Sequence, residues 1–103
     1  MTNPTVIVIA DDLTGAAEIA GAAWRYGMTA EVHIGGLHDS QAEVVAVDAD
    51  SRGLPPSVAA AAVGELTKEA SALEPAVCFK KVDSILRGSV LAEIEAMRRS
   101  AGL

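Results

Sequence analysis

The chain has 103 residues, 50% hydrophobic and 21% charged, with a formal net charge of −6 and one cysteine. That length admits one small soluble domain, and the acidic balance argues against nucleic acid, whose backbone needs clustered cations that release counterions. An internal disulfide framework is excluded, no apolar stretch approaches the ~18 residues of a membrane span, and TVIVIA near the amino terminus is too short for a signal segment, so a cytoplasmic location is expected.

Thr5 to Ala10 is a continuous, β-branched-rich run of the kind that forms a strand covered on both faces. Thr14 is placed to cap a helix through about Tyr26, which Gly27 ends. Thr29 to Ile34 reads as a second strand broken by Gly35-Gly36, and Glu43 to Val47 as a third. Pro55-Pro56 opens an Ala-rich helix to about Leu73, because proline is tolerated where the first-turn N–H lacks a partner anyway. Ala76 to Phe79 is the fourth strand, and Ser89 to Ser100 the last helix, with Glu93 at its start. This order predicts an α/β fold with three αβα layers and a mainly parallel sheet. Four strands with the chain stopping at Gly102-Leu103, just past a helix, read as a partial domain. Much of the apolar content is Ala, with one Phe, one Trp and one Tyr, so the core is expected to be thin.

Three polar clusters each follow a strand: ADDLTGA at 10–16, DADSRG at 48–53 and KKVDSILRG at 80–88. In a parallel α/β sheet the segments past the carboxyl ends of neighbouring strands converge in one crevice, where such sheets bind ligands. Of the eight Lys and Arg, Arg52, Lys80, Lys81 and Arg87 lie in these clusters, among Asp11, Asp12, Asp48, Asp50 and Asp83. Asp11 and Asp12 point to opposite sides if strand geometry persists, so one faces the crevice. A carboxylate there can act as general base, orient a polyol, hold Mg²⁺, or cap the helix. Thr14 and the helix start, with Gly15 allowing close approach, can receive an anion. Arg87 offers a planar fork and Lys a mobile charge. By the same alternation one of Lys80 and Lys81 faces the crevice and the other a covering helix. Surface charge, with Asp83 or Ser84 capping a helix, is the plainer alternative for this cluster, as it is for Arg52 with Asp50 and Ser51.

Elsewhere the residues read as structural. Cys78, in AVCF, is a buried thiol; Trp24, at helical spacing from Leu13, Ala17 and Ala20, is core; His33 and His38 are exposed loop histidines without metal-ligand spacing. A zinc site, a Ser-His-Asp triad and a Walker A loop lack sequence support.

ADDLTGA, DSR at 50–52 and KKVDSILRG followed by EIEAM together resemble the amino-terminal region of the four-carbon acid sugar kinase family. The resemblance implies ATP-dependent phosphorylation of a hydroxyl on an acid such as threonate or erythronate. It further implies that residues 1–103 are the amino-terminal part of the sugar-acid-binding domain, with the ATP-binding domain absent; Mg²⁺, which a carboxylate of the first cluster could hold, is a candidate cofactor beside ATP. By the same resemblance Asp12 is the catalytic base or hydroxyl-orienting group, with Asp11 and Thr14 beside it. Asp50 and Arg52 would line the pocket, and Lys81, Asp83, Ser84 and Arg87 would meet the carboxylate end or the transferred phosphate. Ile85 is an apolar variant within the third motif, and Ser89 supplies the small polar residue after LRG. A receiver-like phospho-accepting module fits less well, since Asp12 to Asp48 is short for it and no fifth strand carries a Lys. A haloacid-dehalogenase-type phosphatase would need a nucleophile where Ala10 stands. A noncatalytic sugar-acid-binding or interaction fragment is the remaining alternative.

Overall fold

The computed structural model describes residues 3–102; Leu103, on which the expected chain stop falls, lies outside the described residues. The elements are β1 (Val6–Ala10), α1 (Leu13–Arg25), β2 (Ala30–Ile34), β3 (Val44–Asp48), α2 (Pro56–Ala72), β4 (Val77–Lys81) and α3 (Val90–Ser100). The four strands form one sheet in the order β2-β3-β1-β4, and every pairing is parallel. β1 therefore sits between β3 and β4, with Ala10 in register with Asp48 on one side and Lys81 on the other.

The pleat of β1 divides the core. Val8 and Ala10, with Ala46 of β3, meet Ala16 and Ala20 of α1 on one face. On the other, Ile9 and Val47 meet Val63 and Leu66 of α2, with Met97 of α3 packed alongside. Ile7, Val8, Ile9, Val45, Ala46 and Val47 are all fully buried, which is why both strands read as unbroken apolar runs. Each such Val or Ile contributes about 1.5–3 kcal/mol of burial free energy. The fold is thus the expected three-layer α/β arrangement, and its described sheet is wholly parallel.

α1 begins earlier than Thr14. Asp12 is its N-cap, and its Oδ1 accepts the Gly15 N–H at 2.9 Å. The helix closes where expected, with the Gly27 N–H on the Trp24 carbonyl at 3.0 Å and the Met28 N–H on the Ala23 carbonyl at 3.1 Å. Trp24 is not core but 72% exposed. The residues that α1 buries are the small Gly15, Ala16 and Ala20, with Ile19 packed alongside, so the face toward the sheet is filled without the indole.

His33 also departs from expectation, lying within β2 and buried. Strand alternation sets it beside Val47, and its ring is used at both nitrogens: Nδ1 accepts the His38 N–H at 3.0 Å and Nε2 lies 2.9 Å from a Glu31 carboxylate oxygen. The His33 ring, aided by Ser40, holds Glu31 below the usual carboxylate range. His38 is exposed as expected. Cys78 is half-buried against the Ile9 and Val47 cluster, and burial pushes its thiol up, away from the reactive thiolate. No helix among the described residues is long and apolar enough to cross a membrane.

Candidate functional site

Because Ala10, Asp48 and Lys81 end their strands side by side, the three polar clusters emerge at one edge of the sheet. Between them lies a cavity of about 200 Å³ lined by Asp12, Thr14, Gly15, Glu18, Arg52, Lys81, Asp83, Ser84 and Arg87. The two adjacent aspartates part company there. The Asp12 side chain is 26% exposed and lines the cavity, whereas Asp11, at 4%, lies beneath it.

Arg52 ties the floor together. Its Nε donates to Asp11 Oδ2 at 3.2 Å and its Nη2 to Asp11 Oδ1 at 3.3 Å. Nη1 lies 3.2 Å from Asp12 Oδ2, and Nη2 lies 3.1 Å from Asp83 Oδ1. The Asp11 hydrogen bonds in particular raise the guanidinium's pKa above its ordinary value. The backbone repeats the attachment, since the N–H groups of Ser51 and Arg52 both donate to the Asp11 carbonyl, at 3.0 and 3.2 Å.

Asp83 organises the third cluster. The Arg87 fork reaches it bidentately, Nε to Oδ2 at 2.9 Å and Nη2 to Oδ1 at 2.8 Å. Oδ2 also accepts the backbone N–H groups of Arg87 and Ile85, at 3.1 and 3.2 Å. The Arg87 side chain, then these N–H groups, hold the Asp83 carboxyl far below the usual carboxylate range. Leu86, in this turn, has φ +58°, an uncommon conformation for a residue with a side chain. Gly88 follows at φ +84°, and a Cβ there would lie 3.2 Å from the Arg52 carbonyl oxygen, so the loop approaches Arg52 through a residue with no side chain.

The adjacent lysines go to opposite faces, as β4 geometry requires. Lys81 points toward the cavity, where its Nζ donates to the Val82 carbonyl at 2.9 Å and lies 3.8 Å from an exposed Glu18. Of the cavity's three cations it is the least committed to carboxylates. Lys80 turns inward to Glu93 of α3 at 2.9 Å. Glu18 was not foreseen, although its place one turn after Thr14 on α1 puts it on the same helix face.

Asp50 does not join this group. It has φ +50°, its N–H donates to Asp48 Oδ1 at 2.8 Å, and it lines a separate cavity of about 370 Å³ with Gly35, Gly36, Asp48, Glu65 and Glu69. Burial raises the Asp48 pKa there. The charged residues that line that larger space are Asp48, Asp50, Glu65 and Glu69, all acidic. The smaller one brings the carboxylates of Asp12 and Glu18 and the hydroxyls of Thr14 and Ser84 together with the cations Lys81 and Arg87. Asp11, Asp12 and Asp83 are turned onto the Arg52 guanidinium, and no group of three or more His, Cys, Asp or Glu among the described residues is arranged to hold a metal. This donor set does not fit Mg²⁺.

A family model described as the sugar-binding N-terminal domain matches residues 6–103. The chain is 38% identical to a D-threonate kinase of Bordetella bronchiseptica over 109 residues, covering 99% of this chain and 27% of that protein. It is 43% identical to a D-threonate kinase of Cupriavidus necator, covering 94% and 24%, and 32% identical to a D-erythronate kinase of Heliobacterium modesticaldum, covering 89% and 22%. The chain thus spans about a quarter of the length of the curated relatives it matches. Among solved structures it resembles a Bordetella bronchiseptica protein, described as a domain of unknown function with bound citrate and as a domain-swapped dimer. Two crystal forms of that protein align with TM-scores of 0.89 and 0.90 at 38% identity, covering 94–95% of this chain and 26–27% of that one.

Proposed function

Since the chain belongs to the sugar-binding N-terminal domain family, we propose that it is the acid-holding part of an ATP-dependent kinase acting on a hydroxyl of a four-carbon sugar acid, threonate or erythronate in type. One observation carries the reading: a cavity of about 200 Å³ where Asp12, Thr14 and Ser84 face Lys81 and Arg87. In it Asp12 orients the reacting hydroxyl and accepts its proton, Lys81 and Arg87 receive the carboxylate, and the start of α1 adds a partial positive charge. Arg52 serves chiefly to fix Asp12, its charge being matched by three carboxylates. ATP, held by a carboxy-terminal domain in the complete protein, supplies the phosphoryl group. Transfer of this kind rests on positioning and charge neutralisation, which is what this cavity offers its acid. The names of the relatives and the citrate of the Bordetella structure support a small hydroxy acid as ligand.

The test is calorimetric titration of the 103-residue chain with D-threonate, D-erythronate, threitol and ATP. The acids are expected to bind weakly, threitol more weakly still, and ATP not at all. Tight ATP binding, or indifference between acid and alditol, would overturn the assignment.

A further inference from the structure

Glu93 takes no part in lining the cavity, yet it is among the most deeply buried side chains of the protein, 1% exposed. Its Oε2 accepts the Ser51 hydroxyl at 2.9 Å, within the core and across 42 positions of sequence. Its Oε1 takes no well-aligned hydrogen bond and is held by the Lys80 ammonium at 2.9 Å. Lys80 in turn donates to the Lys81 carbonyl at 3.1 Å. Ser51 is fully buried and immediately precedes Arg52, and both backbone N–H groups rest on the Asp11 carbonyl.

A buried ion pair is a poor way to gain stability, because the cost of removing two charges from water consumes the attraction, and apolar residues of similar volume do as well or better. Lys80 and Glu93 join α3 to the end of β4, and through the Ser51 hydroxyl they join both to the loop that carries Arg52. The chain of contacts runs Lys80, Glu93, Ser51, Arg52, and ends on the carboxylates of Asp11, Asp12 and Asp83.

We propose that Glu93 is a positioning residue: clamped by Lys80, it holds the Ser51 hydroxyl and thereby sets the Arg52 guanidinium, and with it Asp12, in the geometry the sugar acid meets. The ligand arm of the test rests on the sugar-acid reading; the spectroscopic arm does not. Ser51→Ala cuts the link while leaving the Lys80–Glu93 pair intact, and Glu93→Gln keeps an acceptor but leaves Lys80 unmatched. In ¹⁵N-resolved spectra of the chain, the resonance of the Arg52 Nε–H, which donates to Asp11 Oδ2, is expected to shift or broaden in Ser51→Ala while the resonances of β2 stay in place. D-threonate affinity is expected to fall roughly 10- to 100-fold, on the order of the loss of one hydrogen bond to a charged group. In an Arg52→Ala background Ser51→Ala should cost no further affinity, since the two act as one unit.

An unmoved Arg52 resonance in Ser51→Ala overturns the proposal, as does a full additional loss of affinity on top of Arg52→Ala. If Glu93→Gln fails to fold, Ser51→Ala still decides the matter. If the parent chain binds no D-threonate, the sugar-acid reading falls, and the Arg52 resonance alone judges the positioning role.

Discussion

Asp12 has two separable jobs, and two substitutions pull them apart. Its Oδ1 caps α1 through the Gly15 N–H, while Oδ2 faces Arg52 and the cavity. Asn and Asp are equivalent caps, whereas Ala costs about 1 kcal/mol at this position. For a domain of this size, that corresponds to roughly 4–8 °C in Tm. Asp12→Ala should therefore melt about that much lower than the parent, and Asp12→Asn, which keeps the acceptor, should lose clearly less. D-threonate binding should follow a different pattern, because both variants lose the charged acceptor, and hydrogen bonds to charged groups account for roughly tenfold or more in affinity. The assay is calorimetric melting and titration of the three proteins side by side. Equal Tm losses in Asn and Ala would show that the cap is not what Asp12 supplies, and parent-like D-threonate binding by Asp12→Asn would remove it from the site. Carried at the head of a complete kinase, Asp12→Asn should lower turnover by roughly 10² to 10⁴ if Asp12 takes the hydroxyl proton.

Lys81→Met should lower D-threonate affinity roughly tenfold while leaving threitol unchanged; a parallel loss for both would mean that Lys81 shapes the pocket instead of reading the carboxylate. Arg87→Lys, having lost the planar fork, should retain only part of the parent's preference for acid over alditol, measured by the same titrations. Gly88→Ala and Gly27→Ala both force a side chain onto positive φ, but only at Gly88 does the new Cβ meet Arg52, at 3.2 Å, so both should lower Tm and only the first should weaken D-threonate binding. Asp83 ionises far below its unfolded value of ~3.9, so it contributes stability above about pH 4 that is lost as the pH falls toward its folded pKa. Asp83→Asn should lack that part of the acid-side slope in a series of melts from pH 7 downward; curves that run parallel would contradict the pairing with Arg87.

What the sequence made legible follows from period and position. Apolar runs ending in polar clusters were enough to place β1, β3 and β4, the Gly35-Gly36 break marked the end of β2, and from these came the three layers and the convergence of the clusters; the two-residue period separated Asp11 from Asp12 and Lys80 from Lys81. Register and long-range partners leave no such trace. Asp50 sits in the right motif but turns away through a positive φ and an Asp48 hydrogen bond. The Ser51–Glu93 contact spans 42 residues and involves side chains that composition alone cannot pair. Trp24 misled because helical spacing reports a face, not how close that face lies to the sheet.

The central place of β1 carries a consequence for how recognition arises. Asp12 and Arg52 come together once β1 pairs with β3, but Lys81, Asp83 and Arg87 arrive only when β4 docks on the opposite edge. Once β1 and β3 have paired, the segment left to close is residues 49–76, which carries α2. An intermediate lacking β4 would present Arg52 with Asp11 and Asp12 but without Asp83 and the cations Lys81 and Arg87. Ligand affinity would then require both pairings of β1, and an acid that bridges Asp12 and Lys81 would act as a latch between β1 and β4.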